Sequence, residues 1–151
     1  MTLPDFLQQV QQVLLPATAI AGDPIGTQIA SARNTVSRVL TCMEITDAVV
    51  DEAARNQCDT IVTFHPLIYT PLSALAGQDR VARLVARLIR EDISVVSVHT
   101  TFDAFPQGTN HLLAQRLQLE ILEPLVPSIG LNGAAPSGMH GMGLLCRADF
   151  L

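Results

Sequence analysis

A short β-branched segment that ends in a histidine and a proline constrains the fold more than any other part of this chain. Residues 60–64, TIVTF, are apolar and too few for a helix, so they predict a buried strand. His65 and Pro66 follow directly. Because proline has no N–H to donate to a β-ladder and disfavours helical backbone in the preceding residue, the strand must end here. His65 is therefore predicted to lie at the edge of a sheet.

A second segment repeats this plan further along the chain. Residues 93–98, ISVVSV, also predict a strand, and His99 follows them at once. Asp103 comes four residues later. Parallel strands end at the same edge of a sheet, and open α/β sheets bind their ligands there. The sequence thus predicts that His65, His99 and Asp103 lie at one ligand-binding edge.

The remaining segments alternate between strand and helix signals. This alternation predicts one α/β domain over residues 1–151, with a largely parallel or mixed sheet flanked by helices. A connection is expected over residues 17–34 and a loop over 100–108. Residues 127–138 are rich in Gly, Pro and Ser. Helices are predicted at 3–14, 46–56, 79–91 and 110–117, and further strands at 36–43, 121–126 and 142–146.

Composition excludes several classes of function. The net charge of −5 argues against a protein that binds duplex nucleic acid by neutralising phosphates, and no apolar run is long enough to cross a membrane. All nine basic residues are arginine, which excludes lysine Schiff-base chemistry. Three widely spaced cysteines and the lack of a signal-peptide pattern predict reduced thiols in the cytoplasm. The 48% hydrophobic content predicts apolar surface that is covered by a subunit interface or by a neighbouring domain outside these residues, and we expect a homo-oligomer.

The histidines and carboxylates of the predicted edge suit a divalent metal ion such as Fe, Zn, Mn or Ni. The alternative is ordinary, because histidines at strand ends often bond loop carbonyls or water. Glu44 also follows a predicted strand, but a carboxylate before a helix is favoured by the helix dipole in any case. An acid–base pair of Asp103 with one of the histidines, without metal, also fits the sequence. His111 and His140 lie outside the edge, and we expect them in solvent or in the core.

The helix predicted at 79–91 has a second surface feature, a row of arginines opposite its apolar side. A solvated face, or a contact with acidic groups of a partner, is a more common role for such a row than phosphate binding. The arginines are Arg80, Arg83, Arg87 and Arg90.

Several motifs in the same order resemble the Nif-three-like family, whose members are often labelled type-two GTP cyclohydrolase or dinuclear metal centre proteins. Residues 22–29, GDPIGTQI, resemble D-x-x-G-L-Q-x-G, and residues 44–46 with 51–53 resemble D-x-T…E-A. FHPLIY at 64–69 resembles H-H-P-L-I-F. HTTFD at 99–103 with GTN at 108–110 resembles H-T-N-x-D…G-x-N.

The resemblance implies an α/β fold, a ring-shaped oligomer that is typically a hexamer, and a two-metal site facing the inside of the ring. The family's metal ligands are both histidines of H-H-P, the aspartate of H-T-N-x-D, and a late H-x-x-x-E. By position, His65 and Asp103 match ligands of the same metal ion. His99 matches the motif histidine beside the ligands, which suits a catalytic proton shuttle.

Two departures from the family pattern limit the expected site. Phe64 replaces the first histidine of H-H-P, and phenylalanine cannot bind a metal. No H-x-x-x-E occurs in these 151 residues, and the family's C-terminal part is absent from them. We therefore expect one metal ion per chain at most, held by His65 and Asp103 and completed by water or by a neighbouring subunit.

The sequence leaves the choice between an enzyme and a non-enzyme open. One hypothesis is a metal-dependent hydrolase with a small-molecule substrate, in which His99 moves protons. The other is a non-catalytic oligomeric scaffold or regulatory binding protein that has lost the dinuclear site. A further alternative places the missing ligands on another polypeptide or in a longer gene product, where a downstream H-x-x-x-E would restore the enzyme hypothesis.

Overall fold

A computed structural model describes residues 1–76, 79–128 and 139–148 of the chain. The chain divides into two compact units. The first consists of Met1–Gln12 and Pro24–His99, and the second of Val13–Asp23 and Thr100–Leu151. The Gly/Pro/Ser-rich stretch predicted at 127–138 lies outside the described residues from 129 onward. Among the described residues, no helix has both the length and the apolar character needed to cross a membrane.

The first unit contains a four-stranded mixed sheet in the order β1-β4-β3-β2. Strands β2, β3 and β4 are parallel, and β1 joins β4 in the antiparallel direction. This confirms the predicted α/β class with a largely parallel or mixed sheet. The strands are β1 (Gly26–Ile29), β2 (Val39–Cys42), β3 (Thr60–Thr63) and β4 (Ser94–Ser97).

Helices cover both faces of this sheet because neighbouring strand residues point to opposite sides. Ile61 and Val95 pack in the larger core cluster, together with residues of the second and third helices. Val62 and Val96 face the other side, where they pack with Leu3 of the first helix. The helices are α1 (Leu3–Val13), α2 (Asp47–Arg55) and α3 (Arg80–Arg90).

Side-chain caps fix where α2 and α3 begin. Thr46 Oγ1 accepts a hydrogen bond from the N–H of Val49, and Asp79 Oδ1 accepts one from the N–H of Ala82. Each cap satisfies one of the backbone donors that the first turn of a helix leaves unpaired. The predicted cap at Thr46 is therefore confirmed.

Among its described residues, the second unit has two short α-helices, a 3-10 turn at Pro16–Thr18 and a two-stranded antiparallel sheet. The strands predicted at 121–126 and 142–146 are confirmed as β5 (Glu120–Pro127) and β6 (Gly141–Arg147), which pair with each other. The helices are α4 (His99–Asp103) and α5 (Thr109–Arg116). The prediction of a loop over residues 100–108 was wrong at its start, since α4 occupies it, and the predicted connection over 17–34 missed β1.

Candidate functional site at the carboxyl edge of the sheet

Backbone hydrogen bonds hold His65 at the edge of the sheet. The ladder between β2 and β3 continues past Thr63, because the N–H of Phe64 donates to Cys42 O at 2.9 Å and that of His65 to Met43 O at 2.8 Å. Pro66 then ends the ladder, as the sequence predicted. The side chain of His65 is exposed. The neighbouring Phe64 is half-buried.

The next strand positions His99 in the same way. The N–H of Val98 donates to Thr63 O and that of His99 to Phe64 O, each at 3.0 Å. His99 then has a φ of 26°, a value that is strained for a residue with a side chain. This left-handed turn is where the chain leaves β4 and enters α4. Strained backbone of this kind is common at functional sites.

Four rings meet at this edge. The ring centroids of His65 and His99 are 5.9 Å apart, and Phe64 lies 5.0 Å from His65 and 5.5 Å from His99. Tyr69 lies 6.4 Å from His99 and is 69% exposed. The interplanar angles between His99 and its three neighbours are 74–86°, the edge-to-face arrangement that rings prefer. We call Phe64, His65, Tyr69 and His99 the ring cluster.

A glutamine from β1 braces the loop that carries Tyr69. Gln28 Nε2 donates to Ile68 O at 2.8 Å, and Gln28 Oε1 accepts from Ile68 N at 3.0 Å. The side-chain amide thus replaces the backbone of a neighbouring strand. The sequence places Gln28 in the early motif at 22–29 but gives no signal for this contact with Ile68.

The structure brings His65 and His99 together but assembles no larger ligand group. Asp103 is the last residue of α4, in the second unit, where its carbonyl oxygen accepts a hydrogen bond from Asn110 Nδ2 at 3.0 Å. Glu44 lies after β2 and pairs with Arg80, with 3.2 Å between Nη2 and Oε1. Within the described residues, no three His, Cys, Asp or Glu side chains are placed to hold one metal ion.

The donors of the ring cluster limit what the edge can hold. His65 offers an exposed imidazole, and the His99 ring lies beside it with 5.9 Å between the centroids in an edge-to-face arrangement. Phe64 occupies the position next to them and offers no donor. Within the described residues, the donor chemistry of this edge therefore fits one metal ion better than two.

The arginine row of α3 faces acidic groups of this chain. Arg83 binds Asp47 with both terminal nitrogens, at 2.5 and 2.8 Å, and Arg87 contacts Asp51 and Glu91 at 2.6 Å each. The hydrogen bond from Arg83 holds the pKa of Asp47 below its ordinary value. These contacts tie α3 to α2, and they engage the guanidinium groups that a phosphate would need.

The cysteines are free thiols, as the sequence predicted. Cys58 is buried, and Cys42 and Cys146 are half-buried. Burial raises the pKa of the Cys42 thiol at the end of β2, and a hydrogen bond with Thr63 opposes this only in part. A raised pKa keeps this thiol protonated at neutral pH, so it is a poor nucleophile and a poor metal ligand.

Comparison with solved structures identifies the same fold. A hypothetical protein from Staphylococcus aureus superposes with a TM-score of 0.86 over 99% of this chain and 59% of that protein. The two sequences are 22% identical, so this similarity shows the fold alone. A Bacillus cereus protein described as related to NIF3 matches 84% of this chain and 35% of its own length, with a TM-score of 0.78 and 31% identity.

Comparison of sequences extends this to a family. A protein named GTP cyclohydrolase 1 type 2 homolog from Bacillus subtilis is 32% identical over 123 residues, which cover 82% of this chain and 33% of that protein. This chain thus spans about a third of that relative's length. The family model described as Duf34/NIF3 (NGG1p interacting factor 3) matches residues 1–149. The chain belongs to the Duf34/NIF3 family.

Proposed function

We propose that this chain binds one divalent metal ion and a small-molecule substrate at the carboxyl edge of its sheet and acts as a metal-dependent hydrolase. His65 and Asp103 are the proposed metal ligands, and His99 is the proposed proton shuttle. The observation that carries the proposal is the 5.9 Å between the His65 and His99 rings at the ends of two parallel strands.

The chemistry of the edge supports this assignment. A bound Fe, Zn, Mn or Ni ion would polarise a substrate and lower the pKa of a water molecule. His65 is exposed, so a ligand reaches its ring without rearrangement of the core. His99 lies beside it on a strained turn, and imidazole is the side chain that most often moves protons in enzymes.

The family relation does not supply a substrate for this chain. The relatives that carry the name GTP cyclohydrolase 1 type 2 homolog are longer, and the chain covers 33% of one and 51% of another. Hydrolysis of a nucleotide therefore stays a proposal. Phe64 supports the limit of one ion, because the imidazole that would hold a second ion is missing.

Metal titration tests the assignment directly. Purified protein is titrated with Zn²⁺ and with Mn²⁺ by calorimetry, beside His65→Ala and Asp103→Asn. We expect one ion per wild-type chain and a loss of binding of about tenfold or more in each variant, as removal of a metal-site group commonly causes. Asp5→Asn is the control, since Asp5 is an exposed carboxylate of α1. Equal binding by wild type and His65→Ala would refute the metal assignment.

The second candidate is a non-catalytic oligomeric scaffold or regulatory binding protein. Phe64 favours it at the edge, and large apolar side chains exposed on the second unit favour a subunit interface. Leu125 is 71% exposed, and Leu113, Leu117 and Val126 are each more than half exposed. We propose a homo-oligomer, with a hexameric ring as the expected form.

The molecular mass in solution tests the proposed oligomer and, together with the metal titration, distinguishes the scaffold from the hydrolase. Light scattering at micromolar concentration is expected to give a mass several times 16.2 kDa. Leu125→Ser is expected to lower that mass, and Tyr69→Ser, an exposed apolar-to-polar change in the first unit, serves as its control. A stable wild-type monomer would contradict the oligomer. An oligomer that binds neither ion would support the scaffold.

A further inference from the structure

The second unit buries two histidine side chains that the candidate site does not use. His111 of α5 is only 5% exposed, and neither of its ring nitrogens has a hydrogen-bond partner among the residues that the structure describes. His140, directly before β6, has a buried Nδ1 that also lacks a partner within that part of the chain. Buried polar groups in native proteins are nearly always paired, so three unpaired imidazole nitrogens in one unit require an explanation.

The two histidines lie where the β5–β6 hairpin meets the helices. His140 O accepts a hydrogen bond from the N–H of Ser128, and the N–H of Gly141 donates to Ala104 O, both at 3.0 Å. The His140 ring packs against Phe105, with 6.2 Å between centroids. His111 lies on α5, the helix that contacts both strands of the hairpin. Both imidazoles are therefore part of the contact between the hairpin and the helices of this unit.

Electrostatics make this contact sensitive to acid. Burial lowers the pKa of His111, and the charge of His140 lowers it further. The other described ionisable groups on the elements around it offer no compensation. Glu120 pairs with Arg147 at 2.9 Å, and both side chains are more than half exposed. Four other described ionisable side chains lie on these elements. Two are exposed, Arg116 and Glu123, and two are half-buried, Asp103 and Cys146.

We propose that His111, packed where α5 meets the β5–β6 hairpin, forms a pH-sensitive contact that holds the hairpin against α5 when His111 is neutral and releases it when His111 is protonated. Above about pH 7 the His111 imidazole is uncharged and the hairpin is closed. Protonation places a positive charge in a buried contact that has no acceptor among the described residues. The open form, in which water reaches the ring, then becomes favoured.

The sign and size of the effect follow from proton linkage. The open form has the ordinary imidazole pKa of about 6.5 and the closed form a lower one, so the open form binds more protons and acid favours opening. The contribution to closure is complete above about pH 6.5 and is lost as the pH falls. Between about pH 7.5 and 5.5, protonation of His111 lowers the closing constant by up to about tenfold.

Hydrogen exchange of the intact chain tests the proposal. Exchange is measured by mass spectrometry at about pH 7.5 and 5.5 and corrected for the pH dependence of the intrinsic rate. We expect peptides from β5 and β6 to lose up to about tenfold of their protection at the lower pH, while β3 and β4 lose much less. His111→Leu is expected to remove most of this pH dependence, and His65→Gln, in the other unit, to leave it unchanged.

Two results would overturn the proposal. One is hairpin protection that is equal at both pH values in the wild-type protein, and the other is a His111→Leu chain that keeps the full pH dependence. Should the Leu variant fail to fold, an NMR titration of the wild-type protein decides the matter, because the chain has only four histidines. A His111 ring that titrates at or above about pH 6.5 would then refute the proposal.

Discussion

Replacement of Gln28 by alanine should loosen the loop that follows His65 while leaving the sheet intact. The Gln28 side chain makes two hydrogen bonds to the backbone of Ile68, at 2.8 and 3.0 Å. Gln28 thus pairs both backbone polar groups of Ile68. Both groups would become unpaired in Gln28→Ala. The variant therefore isolates the contribution of one side chain to the geometry of the ring cluster.

The expected magnitude follows from these two bonds. Each contributes about 0.5–1.5 kcal/mol net, and Ile68 is half-buried, so water replaces the lost partners only in part. The loss should be about 2 kcal/mol, which raises the population of open loop roughly 30-fold. Gln9→Ala is the matched control because Gln9 is exposed on α1 and the change there should cost almost nothing.

The single tyrosine makes the assay specific to this loop. The chain has one tyrosine and no tryptophan, so intrinsic fluorescence reports on Tyr69, the residue next to Ile68. We expect lower Tyr69 anisotropy and faster exchange of the Ile68 amide in Gln28→Ala, with the exchange of β3 and β4 little changed. Unchanged anisotropy together with unchanged exchange at Ile68 would refute the role assigned to Gln28.

Three further predictions concern the edge and the α2–α3 contact. Phe64→His supplies the imidazole that a second ion would need and should raise the number of Zn²⁺ ions bound per chain in calorimetry, because the Phe64 ring lies 5.0 and 5.5 Å from two imidazoles. An unchanged stoichiometry would contradict this view of the edge. Thr46→Ala removes the cap of α2 and should lower the free energy of unfolding in urea by about 1 kcal/mol, whereas a midpoint shift near zero would show that the cap is dispensable. The hydrogen bond from Arg83 lowers the pKa of Asp47, so this pair stabilises the protein above about pH 4 and ceases to do so as the pH falls further. Asp47→Asn should therefore reduce the decline of the urea midpoint below that pH. An identical decline in both proteins would argue against this contribution of the pair.

Most of the fold could be predicted because its signals are local. β3 and β4 are short β-branched runs, and α2 and α3 begin at side-chain caps that are visible in the sequence. The missed elements lack such signals. β1 has only four residues and depends on antiparallel pairing with β4, a partner that lies about 70 positions away. α4 has five residues, too few for a helical period to be recognised.

The candidate site was predictable in its position but not in its geometry. Strand ends placed His65 and His99 at one edge, which the structure confirms, yet spacing cannot give the distance between two rings. The exposed ring of Tyr69 reaches the cluster from a loop that Gln28 braces, and that contact spans 40 positions. The acidic partners of the arginine row could in principle be predicted from the sequence. Asp47 and Asp51 are spaced by four on α2, as Arg83 and Arg87 are on α3, so the two helices carry complementary rows.

Side chains at this edge can change without loss of the fold. Phe64 and His65 are held by their backbone N–H groups, which bond to Cys42 and Met43 and do not depend on the side chain. The Phe64 ring packs against both imidazoles, so the position is filled by an aromatic group. The proposed metal binding and the stability of the fold should therefore be separable. A change at His65, which is exposed, should abolish the proposed binding of an ion and leave the cooperative unfolding of the sheet nearly unchanged.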